Sequence, residues 1–322
     1  MFRVRSRKFS SSWGLWLGAV PFLLIVLSYG YFSHQRLAEN PKDKLLPGPA
    51  RLLAGWKDVT RLRSAKVIDY TVADGETLES IARKISGSAT FVEEIRTPDG
   101  KTATAKNLAP GTVLRVPKTE RYITKDLWAS LWRLCAGVSI AVSISLAVGL
   151  SMGVFAPVEK LLYPLVSALS KIPPLAILPI IFIFLGATNE APRITIIALG
   201  IAPVIIMDTL LRCREVATEL ITKAYTLGAT TLEVVFKVVL PQIWPGFLNS
   251  TRISLGPAWV FLIAAEAISA DAGLGYRIFV VQRQLGMNII LIYVGIIMLI
   301  GLAIDAGLRW FIHHRYRWAH VR

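Results

Sequence analysis

The sequence is poor in charge. Only 18% of its 322 residues are Asp, Glu, Lys or Arg, where soluble domains carry about 25%. Acids are the scarcer sign, 21 against 36 bases, for a net charge of +15. In a soluble chain that excess would suggest nucleic acid. Here 54% of residues are hydrophobic and the mean hydropathy is +0.54, so the bases read as flanks that hold helix ends at an anionic membrane surface. No nucleic-acid partner is expected. With 2 Cys there is no disulfide scaffold, and the 23 Gly and 17 Pro follow no short period. The four histidines, His34, His313, His314 and His320, have no metal-ligand spacing. No G-x-x-x-x-G-K-[ST], G-x-S-x-G or Gly-rich dinucleotide turn occurs. The chain is therefore expected to be no enzyme, to hold no metal or cofactor, and to lack an energy source of its own.

What it has is apolar runs of roughly 20 residues, the length a helix needs to cross the hydrocarbon. The first covers 13–32, preceded by Arg3, Arg5, Arg7 and Lys8 with no acid. It is long for a signal-peptide core and no A-x-A site follows, so it reads as an uncleaved span. Five more cover 127–155, 161–186, 194–211, 244–268 and 289–311. The expected fold class is an all-α polytopic membrane protein with six transmembrane helices and a small α+β insert. Basic residues in short flanks place both termini and the loop 212–243 in the cytoplasm. The stretch 33–126 then falls outside. The domain reading is 1–33 for the cytoplasmic flank and first span, 34–65 for a periplasmic linker, 66–118 for the insert, and 119–322 for a five-span core.

The loop 212–243 is the longest polar stretch between spans after residue 126. Val216, Leu220, Ala224 and Leu227 fall on one face at helical spacing. Gly228 suits a left-handed stop. A second amphipathic stretch, 231–239, runs into Pro241, which is expected to end it and turn the chain into the next span. A helix, a glycine bend and a second helix between two spans can pass a push from a cytoplasmic partner into the membrane.

This loop resembles the E-A-A-x-x-x-G-x9-I-x-L-P coupling loop of ABC importer permeases. Ala224, Gly228 followed by Ala229, Val238, Leu240 and Pro241 fit that frame without a gap. Thr222 stands where Glu is usual and Lys223 where Ala is usual; Glu219, one turn upstream, is the candidate replacement carboxylate. The likeness to nitrate/sulfonate/taurine-type permeases extends further. It includes Ser130-Leu131-Trp132-Arg133, the stretch from Lys171 through Ile172-Pro173-Pro174 to Pro179, Ala258-Trp259 with Ala265-Glu266, Gly273-Leu274-Gly275-Tyr276, Gly301 with Asp305, and Leu46-Pro47-Gly48-Pro49. The resemblance implies a type I ABC importer permease fold in the bacterial inner membrane. It also implies cytoplasmic ABC ATPase subunits that bind ATP and Mg, a second permease copy in a homodimer, and a periplasmic or lipid-anchored substrate-binding protein. The solute class it implies is a small anion of sulfonate or nitrate type.

Residues 66–118 lie outside that pattern. Tyr70-Thr71-Val72, Asp74-Gly75-Glu76-Thr77-Leu78, Ile81-Ala82 and a closing Gly111-x-x-Leu114-x-Val116-Pro117 read as strand, helix and strand. They resemble the LysM domain, a βααβ fold. The resemblance implies peptidoglycan as a partner, with Asp74, Gly75, Glu76, Thr77, Pro110 and Gly111 as the candidate glycan site. The insert's aromatics are Tyr70 and Phe91, too few to form a sugar platform.

Ionisable residues within spans are functional candidates by default. Lys171 beside Pro173 and Pro174, and Arg252, Trp259 and Glu266 on the fifth run, are the candidate translocation pathway. Arg133 is expected to snorkel from the outer end of its span. Asp208 is expected to pair with Arg212 or Arg214, and Asp305 with Arg309. The rival readings are a membrane-anchored peptidoglycan-binding scaffold or sensor without transport, and an ATP-independent carrier. The coupling-loop frame opposes the first, and the lack of an inverted repeat with paired broken helices opposes the second.

Overall fold

The structure is a computed structural model that describes residues 11–40, 45–61, 63–73, 76–86, 95–98, 102–103, 111–283 and 285–320. Helix α1 (Ser11–Glu39) covers the first apolar run. Its residues Phe22 to Leu27 stand mostly exposed, as lipid-facing side chains do. At its C-terminal end the Leu46-Pro47-Gly48-Pro49 element folds back on it. Tyr29 donates to the Pro47 carbonyl at 2.8 Å and Ser33 to the Leu46 carbonyl at 3.1 Å. Helix α2 (Pro49–Arg61) starts there, with proline in its first turn where a missing N–H costs nothing.

The insert follows at once. Strand β1 (Arg63–Thr71) pairs antiparallel with β2 (Val113–Arg121), from Arg63 opposite Arg121 to Thr71 opposite Val113. The pairing therefore extends beyond the expected limits 66–118. Helix α3 (Leu78–Ser86) packs on the hairpin, and Val72, Ile81, Ala82, Ile95, Leu114 and Val116 form a separate small core. Arg96 bridges to Thr102 and Arg115. The expected second helix of a βααβ unit is not among the described residues.

Strand β2 passes directly into α4 (Tyr122–Val154), the longest helix of the core. Helices α5 (Ala156–Leu169) and α6 (Pro174–Leu185) meet at 96°. This corrects the expected third span, 161–186, which is bent and not straight. Pro173 and Pro174 have no N–H, and proline pushes the residue before it out of the helical region. Helix α7 (Ala191–Arg214) then runs parallel to α4, because Gly137, Gly149 and Gly153 sit against Ile197, Thr209 and Cys213 in the same order. A Cβ on Gly137 or Gly149 would come within 2.7 Å of the Ile197 or Thr209 Cβ. Small residues on one helix face bring backbones close where apolar solvent gives no hydrophobic drive.

Helix α8 (Thr218–Thr226) is the surface helix, and α9 (Thr231–Glu233) begins the return. The expected stop at Pro241 does not occur. Val234–Val239 form a π-helical stretch that leads straight into α10 (Leu240–Ser269). The Leu240 N–H reaches back five residues to the Val235 carbonyl. The widened turn relieves the contact that the Pro241 ring would otherwise make with the carbonyl four residues back. Helix α11 (Leu274–Gln282) and α12 (Met287–Arg315) complete the bundle, and a 3₁₀ turn, Arg317–His320, follows.

Among the described residues four stretches are long and apolar enough to cross a membrane, 123–154, α7, 231–269 and α12, and the bent α5–α6 pair makes a fifth. With α4 and α7 parallel, that pair must carry the chain back across between them. The main core is centred on α7, with Ile196, Ile197, Ile201, Ile205 and Leu210 packed against Phe247, Trp259 and Leu262 of α10.

Candidate functional site

Helix α8 has no buried residue. Its underside, Ile221 and Ala224, rests on a small cluster of Cys213, Val216, Val234, Val235, Val239 and Ile243. The expected face differs. The helix begins at Thr218, so Val216 is a buried root residue, while Leu220 and Leu227 point outward at 39% and 88% exposure. Gly228 has φ +85°, and the Ala229 N–H closes the helix end on the Ala224 carbonyl at 3.1 Å. A Cβ at Gly228 would touch nothing, so the requirement there is conformational: only glycine adopts this region freely. Thr230 caps α9 reciprocally with Glu233, which also pairs with Lys237 at 2.8 Å.

The polar residues of α8 divide in use. Thr222 donates to the Thr218 carbonyl at 3.0 Å, within its own helix. Lys223 is exposed, and its carbonyl accepts from Thr226. Glu219 is exposed in the first turn and makes no bond among the described residues. Val238 and Leu240 are half-buried and Pro241 is exposed. Arg214, at the root, pairs with Glu159 of α5 and so ties the loop to the bent pair.

The pathway candidates do not converge. Lys171 is exposed at the bend, its N–H bonded to the Ala168 carbonyl, with Pro173 and Pro174 starting α6. Arg252 binds Asp305 of α12 at 2.8 Å, and Asp305 also holds Arg309 at 2.8 Å. Asp208 holds Arg212 at 2.6 Å. Trp259 is 7% exposed and its indole N–H has no partner among the described residues. Glu266 is fully buried and is the centre of a polar cluster at the end of the bundle away from α8.

That cluster joins five helices. Glu266 accepts from Arg133 at 2.7 Å, from Ser130 at 2.7 Å and from the Gly275 N–H at 2.8 Å. Arg133 also binds the Ala272 carbonyl at 2.6 Å and Glu190 at 2.8 Å. It is 4% exposed, which corrects the expected snorkelling. Once two acids and a carbonyl face it, a guanidinium with five donors is better satisfied inside than at the surface. Asp126 accepts from Arg277 at 2.8 Å, from the Gly273 N–H at 3.0 Å and from Tyr293 at 3.2 Å. Gly273 has φ +145°, and a Cβ there would strike the Glu266 carboxylate. Asp126 and Tyr293 were not singled out from sequence. A signal existed: Asp126, Ser130 and Arg133 lie at i, i+4 and i+7 on an otherwise apolar helix.

Of the candidate glycan residues, Asp74, Gly75 and Pro110 lie outside the described residues. Gly111 has φ +86°. Thr77 accepts from the Ser80 N–H at 3.2 Å at the start of α3. Glu76 accepts from Lys84 at 2.8 Å, from Tyr70 and from the Ala73 N–H. The Lys84 ammonium, and then the Ala73 N–H, hold its carboxyl below the usual carboxylate range.

A bundle of membrane helices with an exposed, glycine-capped helix rooted in two spans fits one class, the membrane permeases. Comparison with known proteins agrees. Residues 139–315 match the binding-protein-dependent transport system inner membrane component family. The chain is 35% identical over 190 residues to a putative ABC transporter permease of Methanocaldococcus jannaschii, covering 59% of this chain and 71% of that one. It is 32% identical over 201 residues to the taurine transport system permease of Escherichia coli, covering 61% and 73%. It is 32% identical over 186 residues to a putative aliphatic sulfonates transport permease of the same organism, covering 56% and 70%. An inward-facing structure of the MetNI methionine ABC transporter shares the fold at TM-score 0.54 and 22% identity, over 60% of this chain and 95% of that one. The chain belongs to the binding-protein-dependent transport family: it is the permease subunit of an ABC importer, a multi-pass inner-membrane protein. Membership implies an ABC ATPase, a substrate-binding protein and a permease dimer as its assembly.

Proposed function

We propose that this permease imports a small anion, of sulfonate or nitrate type, as a homodimer with α8 of each copy docked in an ATPase subunit. The observation that carries the coupling role is α8 itself, an apolar-tipped helix with no buried residue, rooted at both ends in membrane helices. An exposed Leu227 and an unpaired Glu219 are what a partner groove would bury and pair. The anionic solute is supported by relatives named for taurine and sulfonates, and by others named for bicarbonate and nitrate. Lys171 at the α5–α6 bend, exposed and with no ion pair among the described residues, is with Pro173 and Pro174 the wall this reading favours. Arg252 shares Asp305 with Arg309 and is the lesser candidate; Trp259 is buried in the core against which a pathway would have to open. ATP and Mg bind in the partner, and both termini lie in the cytoplasm.

Residues 66–118 form an extracytoplasmic module of LysM type that contacts peptidoglycan and leaves the transport cycle to the core. The assembly is tested by gentle purification of the tagged chain from its host. An equimolar, ATP-hydrolysing subunit should co-purify. Recovery with wall fragments and no ATPase would overturn the reading in favour of an anchoring protein. Uptake of labelled taurine, nitrate and an uncharged solute by the reconstituted complex then tests the solute class.

A further inference from the structure

Between the inner ends of α7, α10 and α12 lies a cavity of about 610 Å³, within the size range of small-molecule sites. Both roots of the coupling loop line it: Arg212 and Glu215 before the loop, Gln242, Gly246 and Asn249 after it, with Trp318 at the rim. The Arg212 side chain lies across Gly246, where a Cβ would come within 2.8 Å of the Arg212 Cδ and Cζ atoms. Arg212 Nε is held by Asp208 and Nη2 by Ser250, but Nη1 bonds no acceptor among the described residues. Asn249 spends its oxygen on Arg252 Nε at 3.2 Å, which leaves its NH₂ group unspent. The Gln242 amide makes no bond among the described residues. Glu215 is exposed and pairs with no cation among them. The lining thus offers three groups of unspent N–H donors, one unspent carboxylate and one aromatic face.

We propose that this cavity binds a zwitterion of phosphoethanolamine type. The oxyanion takes the Arg212, Gln242 and Asn249 donors, and the ammonium takes Glu215 and the Trp318 face. A plain anion would engage only the donors and a plain cation only Glu215 and Trp318; a group with both charges engages the whole lining. Because the two roots come from different spans, an occupant links α7 to α10 beneath the loop. The chemistry has two sources, the headgroup of an aminophospholipid in the inner leaflet and free phosphoethanolamine. The inference is independent of which solute the importer carries.

The test places the full chain in nanodiscs of phosphatidylglycerol mixed with phosphatidylethanolamine and counts retained lipids by native mass spectrometry. Free phosphoethanolamine is titrated calorimetrically into discs of phosphatidylglycerol alone. The wild type should retain phosphatidylethanolamine over phosphatidylglycerol by about tenfold if the source is lipid. Saturable heat in the second arm identifies the soluble source. Glu215→Gln should bring the lipid preference to parity or abolish the heat. Asn249→Asp, which keeps the acceptor for Arg252, should weaken either form of binding. Monodisperse gel filtration shows that each variant is folded. A preference for phosphatidylglycerol, binding in neither arm, or binding unchanged in both variants would overturn the proposal.

Discussion

The two ends of the bundle are built on opposite rules. At one end Arg133, Glu266 and Asp126 are buried, and their donors and acceptors meet across α4, α10, α11, α12 and the start of α7. At the other end Glu219, Lys223 and Leu227 stand in the open, and Thr222 bonds to its own helix. A buried ion pair is costly to break because it leaves an uncompensated charge; an exposed helix tip costs little to move. The difference separates a fixed end from an end finished by a partner.

The comparison can be broken most severely at Glu266. Glu266→Leu removes one of the two acids that face Arg133 and strands the Gly275 N–H in the interior, and should cost about 1–3 kcal/mol. Thermal melting of the detergent-solubilised chain should fall sharply, and an unchanged melting temperature would refute the anchoring role. Gly228→Val comes next. It forces a β-branched residue into a left-handed conformation, at about 1–2 kcal/mol confined to the loop. Membrane insertion should survive while ATP-driven uptake is lost; normal uptake would remove the bend from the mechanism. Leu227→Ser should leave melting unchanged and weaken ATPase co-purification, since an exposed tip contributes to docking and not to folding.

The smallest effect is expected in the insert. Glu76 has a folded pKa below its unfolded value, so its contribution is present above the unfolded pKa, about 4.3, and is lost as pH falls toward the folded one. Hydrogen exchange in α3 and β2 should therefore quicken as pH is lowered through that range, once the intrinsic rate is allowed for. Glu76→Gln should flatten the response while α4 and α7 stay protected. An equal response in the variant would show that the Lys84 pair does not hold the turn.

Much of this was legible in the sequence because it is local. The apolar runs, the Gly228 stop and the strand–helix–strand order of the insert each depend on neighbours within a few residues. The face of α8 was misread because the helix covers only Thr218–Thr226: Val216 and Leu227 lie beyond its ends, and Ile221 with Ala224 packs down while Leu220 sits at the margin. Pro241 was misread because π-bonding from Leu240 to Val235 accommodates what an α-helix would not. The outer cluster was hidden for another reason. Arg133 and Glu266 are 133 positions apart, and nothing in either neighbourhood says that α4 and α10 present them at the same depth. Ser130 and Arg133 were noticed as a motif, but their partners become visible only when the helices are packed.

One detail of the insert bears on how it is joined to the core. Its first and last residues, Arg63 and Arg121, are paired across a ladder, so they stand only about 5 Å apart. The gap left by removing everything between them is a gap that a tight turn can close. The ladder thus lets the chain leave the helical core and return to it at one point, so that the insert's length is no constraint on how α2 and α4 are spaced.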